Sequence, residues 1–228
     1  MAQLSPASDA RELTAAVQDY AKAIYTLESR DGAASTTELA ALLEVRPASV
    51  SGMLRKLSAL GLVEHEPYHG VRLTERGRKV ALEVIRHHRL VELFLVESLG
   101  MTWDEVHDEA EVLEHALSEE LEELIAAKLG NPTVDPHGDP IPSRELKLAE
   151  TPLPSLAELE PGETATFVRI SDTDPDMLRF LGERGIVPGT RLKLVEQQPF
   201  DGPLFVKAGR ETHVLGATLA RAMHVEPA

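Results

Sequence analysis

Four side chains in the run HDEAEVLEH, His107, Glu111, Glu114 and His115, are of the types that hold a divalent metal. Residues three and four apart share one face of a helix, so a helical reading of this run lines two imidazoles and two carboxylates along a single stripe. Upstream, RHHRLVE sets His88 and Glu92 four apart on a second expected helix. Two such helices packed face to face would supply a coordination shell. Nitrogen and oxygen donors of this kind suit manganese, iron or zinc more than copper(I). A solvated acidic helix with incidental histidines is the alternative reading of the same residues, and the elements on either side decide between them.

Those elements must be built from 228 residues, 43% of them hydrophobic, enough for one large domain or two to three small ones. The chain contains no cysteine. Disulfides, thiolate zinc sites and cysteine nucleophiles are thereby excluded, and any metal is left to His, Asp and Glu. The formal charge of −15 opposes a general affinity for nucleic acid, because phosphate contact is carried by Lys and Arg. The charge is unevenly spread, however. Residues 11–80 carry ten Lys or Arg against nine Asp or Glu, whereas 81–228 carry thirteen against twenty-eight. The start, MAQLSPASDA, lacks a charged segment followed by an apolar run, and the most apolar stretch, LVELFLVESLG, is interrupted by Glu92 and Glu97. Export and membrane spanning are therefore not expected, and a cytoplasmic protein is.

From Ala10 to Ser29 the apolar positions Leu13, Val17, Tyr20, Ala21, Ile24 and Leu27 recur at three and four, which predicts an amphipathic first helix with Asp19 and Lys22 beside its stripe. The run STTE at 35–38 is a capping box before a short helix, and a further helix runs through ASVSGMLRKLSALG, ended by Gly61. Two short alternating segments, LVEHE and VRLTE, joined by PYHG, suit a hairpin. This is the order of a winged helix-turn-helix. The helix after the turn presents Arg46 and Ser49 near its start, then Ser51, Arg55 and Lys56, basic and hydroxyl residues of the types that bind phosphates and reach base edges in a major groove, and Pro47 is counted with them as a candidate DNA contact. His69 and Arg72 in the wing would touch the adjacent backbone. A long helix from Thr74 to Gly100, a second opened by Thr102 and Glu105, and a third from Ser118 to Gly130 carry more apolar surface than one three-helix unit needs, which a two-fold interface would absorb. The Pro-rich stretch from Asn131 to Glu163 is a connector with local order. Beyond it TATFVRI, RLKLVEQ, PLFVKAG and LARAMHVE alternate as strands around one helix, DPDMLRFLGERG, predicting a small β-barrel. The expected fold is mainly α with small β, in three parts: a winged helix-turn-helix DNA-binding domain over 1–75, a helical metal-binding and dimerisation domain over 76–145, and an SH3-like domain over 146–228.

Over nearly its whole length the chain resembles the metal-dependent transcriptional repressors of the diphtheria toxin repressor type. The resemblance lies in VQDYAKAIYTLE, PASVSGMLRKLSALGLV, LTERGR, RHHRLVELFL and VHDEAEVLEHALSEE, followed by a FeoA-like, SH3-like region. It implies a primary regulatory metal site on Asp19, Glu111, Glu114 and His115, with His88 in that site or an adjoining one. In the iron-responsive branch the positions of Asp19 and Glu111 are methionine and cysteine. Carboxylates in both places match the manganese-responsive branch and replace soft sulfur by hard oxygen. Lys22 stands where some manganese regulators have a glutamate that helps hold two metals, which speaks against a binuclear site. An ancillary site would use His88, Glu92 and His107, with Asp135 and His137 of the connector or Asp172 of the last domain.

The function this implies is a repressor that takes Mn(II), or Fe(II), as corepressor and then binds double-stranded DNA at a palindromic operator as a homodimer. Co(II), Ni(II), Zn(II) or Cd(II) are expected to substitute in vitro. Without metal, carboxylates gathered at one point repel, so the first helix is expected to be loosely held until a cation reverses the sign. DNA binding is expected to depend strongly on salt. No HExxH, nucleophile elbow or phosphate loop is present, so the chain is not expected to be an enzyme. Two other readings are a helical metalloenzyme using the same residues, and a winged-helix regulator that answers an organic ligand, for which Asp19 would have no role.

Overall fold

A computed structural model of the chain describes residues 13–66, 70–148, 151–171 and 174–228. Two compact units result. The first runs through His88 and adds Val112–Leu124 and Pro142–Leu148; the second holds Arg89–Glu111, Ile125–Ile141 and the stretch ending at Ala228.

In the first unit, α1 (Ala15–Asp31) ends at Gly32, whose φ of 81° is the left-handed conformation that a helix C-cap asks of glycine. The expected capping box opens α2 (Thr36–Leu42): Ser35 accepts from the backbone of Glu38, whose carboxylate accepts in return from the backbone of Ser35. Pro47 then occupies the first position of α3 (Pro47–Ala59), where its missing N–H costs nothing. Strands β1 (Val63–Glu66) and β2 (Gly70–Leu73) pair antiparallel from Val63 with Leu73 to Glu66 with Gly70. A Cβ on Gly70 would fall 2.3 Å from the carbonyl oxygen of Ala34, so glycine lets the wing lie against the α1–α2 connection. Val17, Ile24, Leu39, Val50, Leu57, Leu62 and Val71 bury themselves in one core, each contributing about 1.5–3 kcal/mol. This is the expected winged helix-turn-helix. Ala10 to Glu12 of the expected first helix, and His69 at the hairpin tip, lie outside the described residues.

Helix α4 (Glu75–Leu99) is 25 residues long and passes from the first unit into the second. Helices α5 (Val106–Leu113) and α6 (Glu119–Lys128) follow, with Thr102 donating to Glu105 before the first and Ser118 accepting from the backbone of Leu121 in the second. No helix among the described residues is long and apolar enough to cross a membrane.

The second unit contains a five-stranded antiparallel sheet in the order β6-β5-β4-β3-β7, built from β3 (Thr164–Ile170), β4 (Arg191–Gln197), β5 (Leu204–Ala208), β6 (Glu211–Leu215) and β7 (Met223–Pro227). Helix α7 (Pro175–Gly182) is capped by Asp174. Two details differ from the sequence reading. The segment ETHVL, which is not among the four strands expected, is β6: only Leu215 of it is buried, so its alternation is faint, and pairing with β5 supplies the order. The segment LARAMHVE, read as one strand, divides into α8 (Ala217–Ala222) and β7, because the buried Leu219, Ala220 and Met223 recur at three and four rather than in alternation.

Candidate metal centre

Helix α1 projects Asp19 toward the turn that follows α5. There Asp19 Oδ1 lies 2.9 Å from Nε2 of His115, and one donor atom each from Asp19, Glu114 and His115 falls within 4.8 Å of the others. One divalent cation ligated at about 2.0–2.4 Å would span such a spread. Two carboxylates and an imidazole form a hard-to-borderline donor set, so the residues fit the metal that the sequence implies.

The single helical stripe expected from the sequence is not how these donors are held. Helix α5 ends at Leu113, and Glu114 and His115 lie in the turn beyond it. The cause is tertiary: Nδ1 of His87 on α4 bonds the carbonyl of Glu114 at 3.1 Å, and the Glu114 carboxylate is drawn between Lys22 of α1, at 2.8 and 3.0 Å, and Nδ1 of His88, at 2.5 Å. The Glu114 side chain is fully buried. Burial alone would raise its pKa, but the hydrogen bond from His88 and the charge of Lys22 outweigh that and hold it below the usual carboxylate value. Repulsion among the acids, expected to loosen the first helix, is therefore offset by cationic and imidazole groups of the chain itself.

Several positioning residues gave no signal in the motifs. Gln18, buried next to Asp19, places Oε1 2.5 Å from Nδ1 of His115. That bond calls for a proton on Nδ1 and turns Nε2 toward Asp19, the kind of outer partner that fixes an imidazole ligand. The only hint in the sequence is a Gln beside Val17 on an otherwise apolar stripe. Glu122 of α6 joins Nε2 of His87 at 3.1 Å and Nε of Arg86 at 2.6 Å, while Arg86 also donates to the carbonyl of Pro142. Burial would raise the pKa of Glu122, yet the His87 hydrogen bond and the Arg86 charge hold it low. Replacing Glu122 by alanine removes the carboxylate that pairs with both Arg86 and His87 in this mostly buried network. Unfolding by denaturant should show a loss of about 3 kcal/mol, the usual result of removing one member of a buried ion pair.

A second group of donors lies in the second unit. Glu92 on α4 and Asp135 and His137 in the connector are all buried, and one ligand atom from each falls within 4.8 Å of the others. Glu92 Oε2 is 3.6 Å from Nδ1 of His137, and Oε1 is 3.6 Å from Nδ1 of His107. His137 Nε2 donates to the carbonyl of Trp103 at 2.7 Å and its ring stacks on that indole, leaving Nδ1 turned toward Glu92. Asp135 Oδ1 accepts from the backbone of His137 and Asp139, closing a tight loop that Arg89 braces through the carbonyl of Pro140. Burial lowers the affinity of His137 for a proton, but the hydrogen bond and charge of Glu92 and the charge of Asp135 reverse this and raise its pKa to about 9. Burial also raises the pKa of Asp135, aided by the charges of Asp139 and Glu92. Arg89 Nε lies 3.6 Å from Asp135 Oδ2 and offsets part of this buried charge, and the two carboxylates and the imidazole are donor types that suit a second divalent metal. His107 is 3.9 Å from Glu111, one turn along α5. Asp172 lies outside the described residues.

On α3 the side chains of Pro47, Ser49, Ser51, Arg55 and Lys56 are exposed, as is Arg46 immediately before it. Val50 and Leu57 point into the core. One face of the helix is thus apolar and anchored, and the other offers hydroxyl and basic groups.

Comparison with known proteins identifies the family. Family profiles described as iron dependent repressor, N-terminal DNA binding domain, and iron dependent repressor, metal binding and dimerisation domain, match residues 12–71 and 74–143, and a FeoA domain profile matches 155–227. The iron-dependent repressor IdeR of Mycobacterium tuberculosis (strain ATCC 25618 / H37Rv) is 34% identical over 94% of this chain and 98% of its own. The diphtheria toxin repressor of Corynebacterium glutamicum is 28% identical over 95% of this chain and 98% of its own. Among solved structures, a manganese-dependent transcriptional repressor in complex with manganese superposes with a TM-score of 0.85 at 43% identity, covering 93% of this chain and 100% of its own. The manganese regulator SloR superposes with a TM-score of 0.75 at 31% identity, covering 93% and 98%.

Proposed function

Since this chain belongs to the iron-dependent repressor family, we propose that its corepressor is Mn(II), with Fe(II) as the second candidate, held at a primary site by Asp19, Glu114 and His115 and completed by Glu111 and His88. The protein is a metal-dependent transcriptional repressor that binds DNA operators and forms homodimers. The observation that carries the choice of metal is the donor set: Asp19 meets an imidazole and a buried glutamate, and no sulfur from cysteine is available anywhere in the chain. Glu92, Asp135 and His137, with His107, form the ancillary site in this reading, and Asp172 belongs to the same proposal. The domain boundaries proposed are 1–75, 76–145 and 146–228.

A bound divalent cation supplies the positive charge that lets two carboxylates and an imidazole share one point. The residues do the rest. Asp19 ties α1, and through its core contacts α3, to the turn after α5. Gln18 presents His115 in the tautomer that can ligate. Val112, Leu113, Leu121 and Leu124, exposed on and around α5 and α6, form the face on which a second copy packs. With α1 seated in both copies, the two α3 helices acquire a fixed spacing and enter successive major grooves about 34 Å apart, where Arg46, Pro47, Ser49, Ser51, Arg55 and Lys56 meet the backbone and bases and His69 reaches the flank. This is regulation without turnover, by a protein that works in the cytoplasm. The organic-ligand reading loses ground because Asp19 has a metal donor's company. Mobility-shift titrations of upstream DNA test the proposal: Mn(II) should tighten binding at least about 100-fold over chelator, close to 3 kcal/mol. Equal binding in both would end it.

A further inference from the structure

Lys22 leaves α1 one turn after Asp19 and places its ammonium 2.8 and 3.0 Å from the two oxygens of Glu114, a carboxylate fully buried from solvent. A buried carboxylate needs hydrogen bonds or an opposite charge beside it, and here the chain brings a full positive charge from 92 residues away in sequence, beside the contact from His88. A cation at the primary site would claim an oxygen of this same carboxylate. We propose that Lys22 is a tethered cation that occupies Glu114 in the metal-free protein and must yield it to the divalent metal, so that this one side chain sets how much metal is needed to switch the repressor. The inference rests on the primary site being Asp19, Glu114 and His115.

Two effects of the lysine oppose each other. Its contact helps hold Glu114 in place, which favours a ligand; its charge repels a dication arriving a few ångströms away, which disfavours one. Positioning is supplied several times over, because His88 also holds the Glu114 carboxylate and His87 holds its carbonyl. Repulsion has no such substitute. The side chain is only about one-fifth exposed, with a relative accessibility of 20%, so solvent screens the charge incompletely. Competition therefore prevails, and the lysine raises the metal threshold while neutralising the site in the absence of metal.

Mn(II) titrations of the DNA-free full-length protein, followed by the EPR signal of free Mn(II) and by calorimetry, test this. Lys22→Met and Lys22→Gln should tighten the primary site by about 10-fold, and Lys22→Arg, which keeps the charge, should stay within about 3-fold of the parent. The neutral variants should also melt lower than the parent without metal and gain more on adding Mn(II). Unchanged or weaker Mn(II) binding in both neutral variants, with far-UV circular dichroism intact, overturns the inference. Asp19→Ala serves as the reference. If it abolishes primary-site binding while the neutral lysine variants fail to tighten it, only the role of Lys22 is wrong; if Asp19→Ala binds like the parent, the site assignment is wrong and this inference goes with it.

Discussion

Replacing Asp19 by alanine is expected to weaken Mn(II) at the primary site by at least about 100-fold, more than the 10–100-fold typical of losing an outer partner of a metal ligand, and to remove Mn(II)-dependent operator binding. The size follows from position. Asp19 is the candidate donor on α1, whereas Glu114 and His115 belong to a turn beyond α5. Removing either of the latter weakens the metal but leaves a donor on each side; removing Asp19 separates metal binding from the helix it must seat. A metal that binds the seated and unseated arrangements equally shifts nothing, however tightly it binds. Calorimetry with Mn(II) alone and mobility shifts at fixed Mn(II) would read the two halves of the effect separately. Since the Asp19 side chain is about one-third exposed, at 34%, the variant should fold normally. Operator binding that survives with full Mn(II) response would mean that α1 is seated by some other contact.

Much of the fold was legible because its signals are local. The Ser35 and Glu38 box, Gly61 at a helix end and the alternation of TATFVRI are each decided within a few residues, and the structure shows all of them. The site was legible in its residue types and less so in its arrangement. The periodicity of HDEAEVLEH continues past the point where α5 stops, because nothing in those nine residues reveals that His87 will take the carbonyl of Glu114 or that Lys22 will take its carboxylate. Such contacts join positions 27 and 92 residues apart, a separation at which pattern carries no information. Lys22 reads in sequence as the absence of a metal-binding glutamate, and in three dimensions it is a cation already paired with Glu114. Gln18 and Glu122 were silent for a related reason: a buried amide or acid is recognisable only when its partner is seen.

The ancillary cluster can be dissected without touching any donor of the primary set, through the backbone that carries His137. Gly138 has φ of +87°, and a Cβ there would sit 1.9 Å from the carbonyl oxygen of Val168 and 2.9 Å from Cα of Arg169, both backbone atoms of β3 that cannot swing aside. Next to it, the carbonyl of His137 accepts from the backbone of Ile170 at 3.0 Å, so the connector is laid against β3 at this point. Gly138→Ala should lift the connector, at a cost of about 1–3 kcal/mol for the backbone conformation alone, and carry His137 and Asp135 away from Glu92. Glu92→Gln keeps the shape and removes a charge and a donor. Equilibrium dialysis should then show both variants losing the weaker of two Mn(II) sites per chain, by about 10-fold or more in affinity, while the primary site binds as before. The pairing of the variants is what makes the result decisive: one changes a donor and leaves the backbone alone, and the other does the reverse. Loss in Glu92→Gln alone would mean that the connector lends no ligand and that the glutamate works with His107. Unchanged stoichiometry in both would make Glu92, Asp135 and His137 a buried ion network whose protons, with His137 raised to about 9, take the place of a metal.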